Sequence, residues 1–250
     1  MTMTQRVFVA SSLLAFFALP LAGQDLPVAI ATAASCAPRT SSGGALSPDL
    51  PQIAGAQDTS ARSLYGPRDL VIINAGSAKG IQVGQKFVVR RKIVAGYENK
   101  TGLHAAITAG WLSITAVSDN TAIARIDFAC DGVQQWDYLE AWTAPALPLV
   151  VDRVDASGEL DFSSPSRVLF GDYGRLTGGQ GDMMLADIGQ GGAVPGARYA
   201  IYRDLHVPGV PLAAVGEAIV ISVGDNTSLL RLTQARDAIT SGDFLIPRKR

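Results

Sequence analysis

Short runs in which alternate residues are apolar fill most of the chain, separated by clusters of Gly, Asp, Asn and Ser, and helical periodicity is scarce. From residue 63 onward the runs come in two series. Asp69-Leu-Val-Ile-Ile-Asn-Ala-Gly76 is answered by Asp182-Met-Met-Leu-Ala-Asp-Ile-Gly189. Gly110–Leu139 then aligns with Gly216–Leu245 without a gap, with ten identities in thirty pairs. A match of that length over so many residue types points to one module written twice.

Each half predicts the same elements. A first strand is expected at Ser63-Leu-Tyr-Gly66, matched to Val168-Leu-Phe-Gly171, with Arg175–Gly181 read as an insertion in the second half. The next strands begin after Asp69 and Asp182. The glycine series Gly76, Gly80, Gly84 and Gly189, Gly192, Gly196 follows, as expected of turns that need positive φ. Lys86–Arg91 and Arg198–Arg203 suit strands, and the stretches 92–107 and 204–212 are variable hairpin tips. Two further strands meet at Ser118-Asp-Asn-Thr121 and Gly224-Asp-Asn-Thr227, where Asp-Asn predicts a tight hairpin with residues in the left-handed region. On the outgoing strand Ala122, Ala124 and Ile126, and Ser228, Leu230 and Leu232, face inward, which turns Arg125 and Arg231 outward. The halves close with Trp136–Leu139 and Gly242–Leu245. The fold class expected is all-β: two tandem small closed β-barrels related by internal duplication, following a signal peptide and an extended leader.

The predicted order is a signal peptide over 1–23, an extended Ser/Pro/Gly-rich leader over 24–62, the first barrel over 63–142, a linker over 143–167 and the second barrel over 168–250. A single Arg6 and the apolar run Val7–Ala22 carry the signal-peptide reading, with cleavage after Gly23 or, second, near Ala31-Thr-Ala33. That run is shorter than the roughly 20 residues a spanning helix needs, so no transmembrane anchor is expected and the protein should be periplasmic or secreted. With 48% apolar residues in 250 positions there is material for two small cores. A formal charge of -1 leaves no footprint for nucleic acid. In an oxidising compartment the two cysteines, Cys36 and Cys130, should pair; the second half has Arg236 where the first has Cys130, so the bridge would staple the leader down. The rival reading makes Ala33-Ala-Ser-Cys36 a lipid attachment signal, against which stand Asp25 and the distance from Arg6.

The pattern Ile73-Asn-x-Gly76, Gly80-Ile-x-x-Gly84-x-x-Phe87-x-Val89-x-Arg91, Gly110 and Asp137-x-Leu139 resembles the C-terminal β-barrel of the flagellar assembly protein T family, the T-ring assembly proteins. The second half is similar through Gly192-x-x-x-Gly196-x-x-Tyr199-x-Ile201-x-Arg203 and Gly242-Asp243. A looser likeness exists to the barrels of rod-shape-determining protein C. The resemblance spans both halves but neither leader nor linker, and it implies a barrel of periplasmic scaffolds.

No reactive constellation recurs. Gly76-Ser-Ala-Lys-Gly80 lacks the Lys-Ser/Thr pair of a phosphate loop, and no Gly-x-Ser-x-Gly elbow is present. His104 and His206 are too few and too isolated for a zinc site. Asp119, Asp225, Asp137 and Asp243 recur at turns, as structural capping predicts, and Arg125 and Arg231 are expected to form weak surface pairs, perhaps with the closing Asp of their own half. Trp111, Trp136 and Trp142 belong to the first half alone, the second having Glu217, Gly242 and Arg248 in their places. A shared barrel core therefore does not require them. They are candidates for packing beneath the leader or against the second half, or for contact with a partner protein or a glycan. The expectation is an exported, non-catalytic envelope scaffold without cofactor or metal that works through protein contacts, with a peptidoglycan-binding module as the alternative.

Overall fold

The computed structural model describes residues 28–41, 46–58, 62–92, 104–143 and 158–248. The expected signal peptide, most of the linker and the tip of the first variable stretch lie outside them. The chain folds as a helix, α1 (Val28–Cys36), and then β1 (Arg39–Ser41), β2 (Ile53–Ala56), β3 (Leu64–Tyr65), β4 (Leu70–Ile73), β5 (Lys86–Lys92), β6 (His104–Val117), β7 (Ala122–Ala129), β8 (Val133–Gln134) and β9 (Tyr138–Ala141). The second half contains β10 (Ser166–Gly171), β11 (Thr177–Gly178), β12 (Met183–Ala186), β13 (Arg198–Arg203), β14 (Ala213–Val223), β15 (Ser228–Ala235), β16 (Ile239–Thr240) and β17 (Phe244–Pro247). No helix among the described residues is long and apolar enough to cross a membrane.

The second-half strands close into a six-stranded antiparallel barrel in the order β10-β12-β15-β14-β13-β17. The first sheet runs β2-β4-β7-β6-β5-β9, with β1 added alongside β6. Its two ends are tied by a bridge between Gln52 and Tyr138 and by the bonds Ile53 N to Asp137 O (3.0 Å) and Leu139 N to Pro51 O (2.8 Å). The ladders agree residue by residue: Leu70 lies opposite Arg125 as Met183 lies opposite Arg231, and Ile72 opposite Ile123 as Leu185 opposite Leu229.

Several expectations need correction. The leader is not simply extended, since it supplies α1, β1 and the edge strand β2. His104 is no hairpin tip; it opens β6 opposite Ser41. The partner of Leu64–Tyr65 in the second half is β11, not Val168–Gly171: β3 pairs with β8 as β11 pairs with β16, and Gly66 N bonds the Asp69 carboxylate as Gly179 N bonds that of Asp182, at 2.8 and 2.9 Å. Arg175–Gly181 is therefore no insertion; the sequence match failed because short strands of similar composition can be aligned one strand out of step. The linker's last residues already belong to β10, and Leu160 bridges to Arg248. The Asp-Asn hairpins form, closed by Ser118 N to Thr121 O and Gly224 N to Thr227 O at 2.8 Å, yet no residue of either Asp-Asn pair has positive φ.

The glycines next to these turns act by close approach. A Cβ on Gly76 would stand 2.0 Å from the carbonyl oxygen of Ser118, and one on Gly189 2.0 Å from that of Asp225, while Ser77 N and Ala78 N bond the carbonyls of Ser118 and Asp119. Gly80, Gly84 and Gly196 do hold positive φ, as expected, whereas Gly192 does not.

Two interior cores result, one around Ile73, Leu112, Ile126 and Leu139 and one around Met184, Ile201, Leu230 and Leu245. The inward assignment of Ala122, Ala124 and Ile126 holds, as does that of Leu230 and Leu232. A third cluster lies outside the closed barrel. Leu169, Met183, Leu185, Ile219, Ile221 and Leu229 point away from the barrel axis and are buried against Ala33, Ala34, Ala37 and Ala105. Small residues on α1 and at the start of β6 let the leader lie close upon this wall. Thr108 Oγ1 donates to Ala37 O at 2.8 Å, and Cys36 at the end of α1 is disulfide-bonded to Cys130 just beyond β7, so the leader is stapled as expected and the Cys36 sulfur is not free for a lipid.

Replacing Gly189 by Ala is expected to lower stability by about 3 kcal/mol through overpacking against backbone that cannot yield. Gly191, with nothing within 4 Å of its would-be Cβ, is the control. Urea unfolding midpoints of Gly189→Ala and Gly191→Ala check this.

Candidate functional site

The β8–β9 connection is a tight turn over Gln134–Asp137. Its counterpart, Thr240–Asp243, uses Gly242 at φ 95°, the left-handed conformation open to glycine. In the first half the same position is Trp136, at φ 72°. An L-residue there is strained by about 1–2 kcal/mol, and the indole gains little burial in return, because Trp136 is 60% exposed.

The turn is over-determined by its surroundings. Asp137, almost fully buried, receives Arg91 Nε and Nη2 at 2.8 Å on its two carboxylate oxygens and Gln134 N at 2.7 Å. Arg91 also reaches Asp131 and the Gly132 carbonyl. Trp136 N donates to Ile53 O at 2.8 Å and Gln135 Nε2 to Ala54 O at 2.6 Å, which fixes the turn to β2. The second half has the same clamp: Arg203 bonds Asp243, Asp237 and the Ala238 carbonyl, and Thr240 N bonds Asp243. Burial works against the charge on Arg91, but the hydrogen bonds and charges of Asp137 and Asp131 outweigh it and raise the pKa above its usual value. At Arg203 the hydrogen bond it donates to Asp243 is the main reason for the rise. A forked guanidinium across a planar carboxylate is the geometry that makes such a clamp directional.

The closing aspartates are held by Arg91 and Arg203. Arg125 instead meets Asp127 at 3.3 Å and is largely exposed. Recurrence of Arg91/Arg203, Asp131/Asp237 and Asp137/Asp243 in the two halves was the sequence signal for the pairing.

The three tryptophans do not gather. Trp111 stacks on Phe128, its cross-strand neighbour, with ring centroids 4.5 Å apart and planes 11° from parallel, and Trp142 leans on Trp111 at 5.5 Å. Both are half-buried in this cluster, at the opposite end of β9 from Trp136. In the second half the positions of Trp111 and Trp142 hold an ion pair, Glu217 with Arg248 at 3.8 Å. The first sheet thus carries an aromatic cluster at positions where the barrel carries a polar contact, with Phe128 the member that sequence reasoning missed. Leu64 is a further omission: it is 55% exposed, lies opposite Gln134 and packs its side chain over Gly132.

At the junction of the halves, Gly171 leads into the turn Asp172–Gly174. Tyr173, at φ 58°, donates its hydroxyl to Cys130 O at 2.5 Å. Asp172 beside it has a buried Oδ1 without a hydrogen-bond partner. Burial pushes its pKa up to about 6, with Arg175 opposing and Asp182 adding to the rise. His206 is exposed near Asp204, and among the described residues no three His, Cys, Asp or Glu side chains gather as a metal site would require. No protein-family model matches the chain, and no curated protein matches it.

Asp243→Asn keeps the volume but removes the buried charge that Arg203 answers, and is expected to lower stability by about 3 kcal/mol by leaving a partly buried guanidinium with only the exposed Asp237 as its counter-charge. The same change at Arg125's partner, Asp127→Asn, should cost under about 1 kcal/mol. Chemical denaturation of both variants compares them.

The Asp172 carboxyl binds its proton more tightly folded than unfolded, so its favourable share of stability is complete below about pH 4 and is lost as pH rises through about 6. Asp172→Asn should accordingly raise the melting temperature at pH 7.5, with the difference vanishing near pH 4. Thermal scans across that range measure it.

Proposed function

We propose that this chain is an exported, non-catalytic cell-envelope protein, built as two copies of one small β-barrel, that holds a partner protein through the corner displaying Trp136. The observation that carries this reading is Trp136 itself: a large aromatic side chain shown to solvent from a left-handed turn where the other half has glycine. Strain of this kind persists only where surrounding structure enforces it, and it concentrates at functional positions. Tryptophan is also the residue type most enriched at the energetic centres of protein interfaces.

Other observations support the broader reading. The matching strand order and the duplicated Arg–Asp clamp favour a second, tandem barrel in the first half and descent from one module. The disulfide fits an oxidising compartment, in keeping with the signal-peptide reading of residues 1–23. The likeness to the flagellar assembly protein T barrel favours a periplasmic scaffold. Of the recurring carboxylates, Asp137 and Asp243 are engaged by arginine and backbone N–H groups, and Asp119 and Asp225 by the side chains of Ser77 and Gln190, which favours a structural role for them over acid–base chemistry.

A peptidoglycan contact is the second reading, favoured by one feature. An exposed indole is a surface suited to stacking on the face of a sugar ring. Trp111 and Trp142, stacked elsewhere, add nothing to this site.

Trp136→Gly tests both readings, because it should leave stability unchanged or raise it by up to about 1 kcal/mol while removing the contact. With the native protein crosslinked in its own envelope, specific protein partners recovered with wild type should fall away with Trp136→Gly. Co-sedimentation with purified sacculi, lost in the same variant, would instead favour the glycan. Partner recovery unaffected by the substitution would remove Trp136 from the interface.

A further inference from the structure

We propose that the outward face of the β3–β8 ladder is a two-point docking surface on which Arg68 and Trp136 together hold a partner protein, Arg68 taking a carboxylate of that partner. The proposal rests on the Trp136 reading above and adds to it a second anchor and the chemistry that anchor requires.

Four turns of the molecule are built alike. In Gly66–Asp69, Gln134–Asp137, Gly179–Asp182 and Thr240–Asp243 the closing aspartate carboxylate accepts the backbone N–H of the first residue, at 2.8, 2.7, 2.9 and 2.7 Å. The aspartate's own N–H returns to the first residue's carbonyl in each. The third position has positive φ in all four: 76° at Arg68, 72° at Trp136, 94° at Gly181 and 95° at Gly242. Its N–H goes to a neighbouring strand, as in Arg68 N to Ile126 O and Gly181 N to Leu232 O, both 2.8 Å. The second half thus uses glycine at both of these positions and the first half at neither. The backbone bonds are the same with either residue, so the turns themselves call for neither the arginine nor the tryptophan, and both side chains are kept against left-handed strain.

The ladder places the two residues on one face. β3 and β8 run antiparallel, Leu64 opposite Gln134 and Tyr65 opposite Val133. The Gly66–Asp69 turn leaves one end of this ladder and the Gln134–Asp137 turn leaves the other. An antiparallel pair has a local two-fold axis normal to its plane, so matching positions on the two turns lie on the same face. Arg68 and Trp136 are both exposed, and so is Leu64 on the ladder between them, whereas Tyr65 and Val133 are buried. A few residue steps of roughly 3.3 Å separate the two turns, which lies inside the footprint of one interface.

The surrounding charges decide what Arg68 takes. Arg62 is answered by Asp58 and Asp69, and Arg125 by Asp127. Among the described residues no carboxylate pairs with Arg68. A forked guanidinium displayed without a counter-charge is matched by the two coplanar oxygens of a carboxylate. Arginine and tryptophan are also among the residue types most enriched at the energetic centres of protein interfaces.

The test takes the native, disulfide-bonded protein and, as probe, the purified partner that envelope crosslinking recovers with wild type and loses with Trp136→Gly. Titration calorimetry compares wild type with Arg68→Gly, which adopts the residue the second half already uses in this turn, and with Arg236→Gln, which removes an exposed cation from the second half. Arg68→Gly should bind at least about tenfold more weakly at low salt, and its affinity should fall less steeply with added NaCl than that of wild type. Arg236→Gln should bind as wild type does. The urea midpoint of Arg68→Gly should be no lower than that of wild type, which separates lost contact from lost folding. Undiminished affinity in Arg68→Gly, an unchanged salt dependence or a lowered midpoint would each overturn the proposal while leaving the Trp136 reading in place. Failure to recover any partner that depends on Trp136 would instead remove that reading, and this one with it.

Discussion

A barrel wall that is apolar on both faces cannot stand by itself in water, and the arrangement of this protein follows from that constraint. Along β12 the inward Met184 and Ala186 alternate with the outward Met183 and Leu185, and all four are buried. An ordinary small barrel would place polar residues at the outward positions. Each fully buried side chain of this size is worth roughly 1.5–3 kcal/mol relative to exposure, so the six outward residues of the wall create a large demand for cover. The leader meets it. Alanines allow close approach, and the Cys36–Cys130 bridge together with the Thr108 hydroxyl holds α1 where the wall requires it. The halves are therefore coupled through a leader whose strands join the first sheet while its helix covers the wall of the second.

Within each half, a different interaction performs the corresponding task. The Arg91–Asp137 and Arg203–Asp243 clamps lie where the chain turns into its last strand, and each ties three otherwise unrelated pieces together: the middle strand, the β8–β9 or β16–β17 turn, and the short acidic bend before it. A buried carboxylate is tolerated because its oxygens are answered by the guanidinium and by a backbone N–H, and removing any one leaves the others exposed to the full penalty of unpaired burial. This rigidity is what permits Trp136 to occupy a backbone conformation that glycine takes in the other half. Packing stiffness, local strain and the display of an aromatic side chain thus form one causal chain.

The surface shows the same asymmetry between related positions. Where the second half has glycine the first has an exposed indole, and where the second has an ion pair the first has stacked aromatic rings. The fold itself is satisfied by either residue at these positions.

Much of the architecture was determined by the sequence alone. Period-two runs between turn residues made the chain all-β, the paired Asp-Asn hairpins set the β6–β7 and β14–β15 registers, and the chain's two cysteines left one pairing. These are local or pairwise properties, legible because side-chain direction alternates strictly along a strand and because turn chemistry is short-range. Tertiary structure alone decided the rest. It recruited β2 from a segment that reads as loop, set β3 against β8 rather than at the barrel rim, and separated Trp136 from Trp111 and Trp142. The covered outer wall was equally hidden, since outward Met183 and Leu185 are indistinguishable in sequence from inward core. Which face of a strand meets water depends on what packs across it from distant parts of the chain, and no local pattern carries that information.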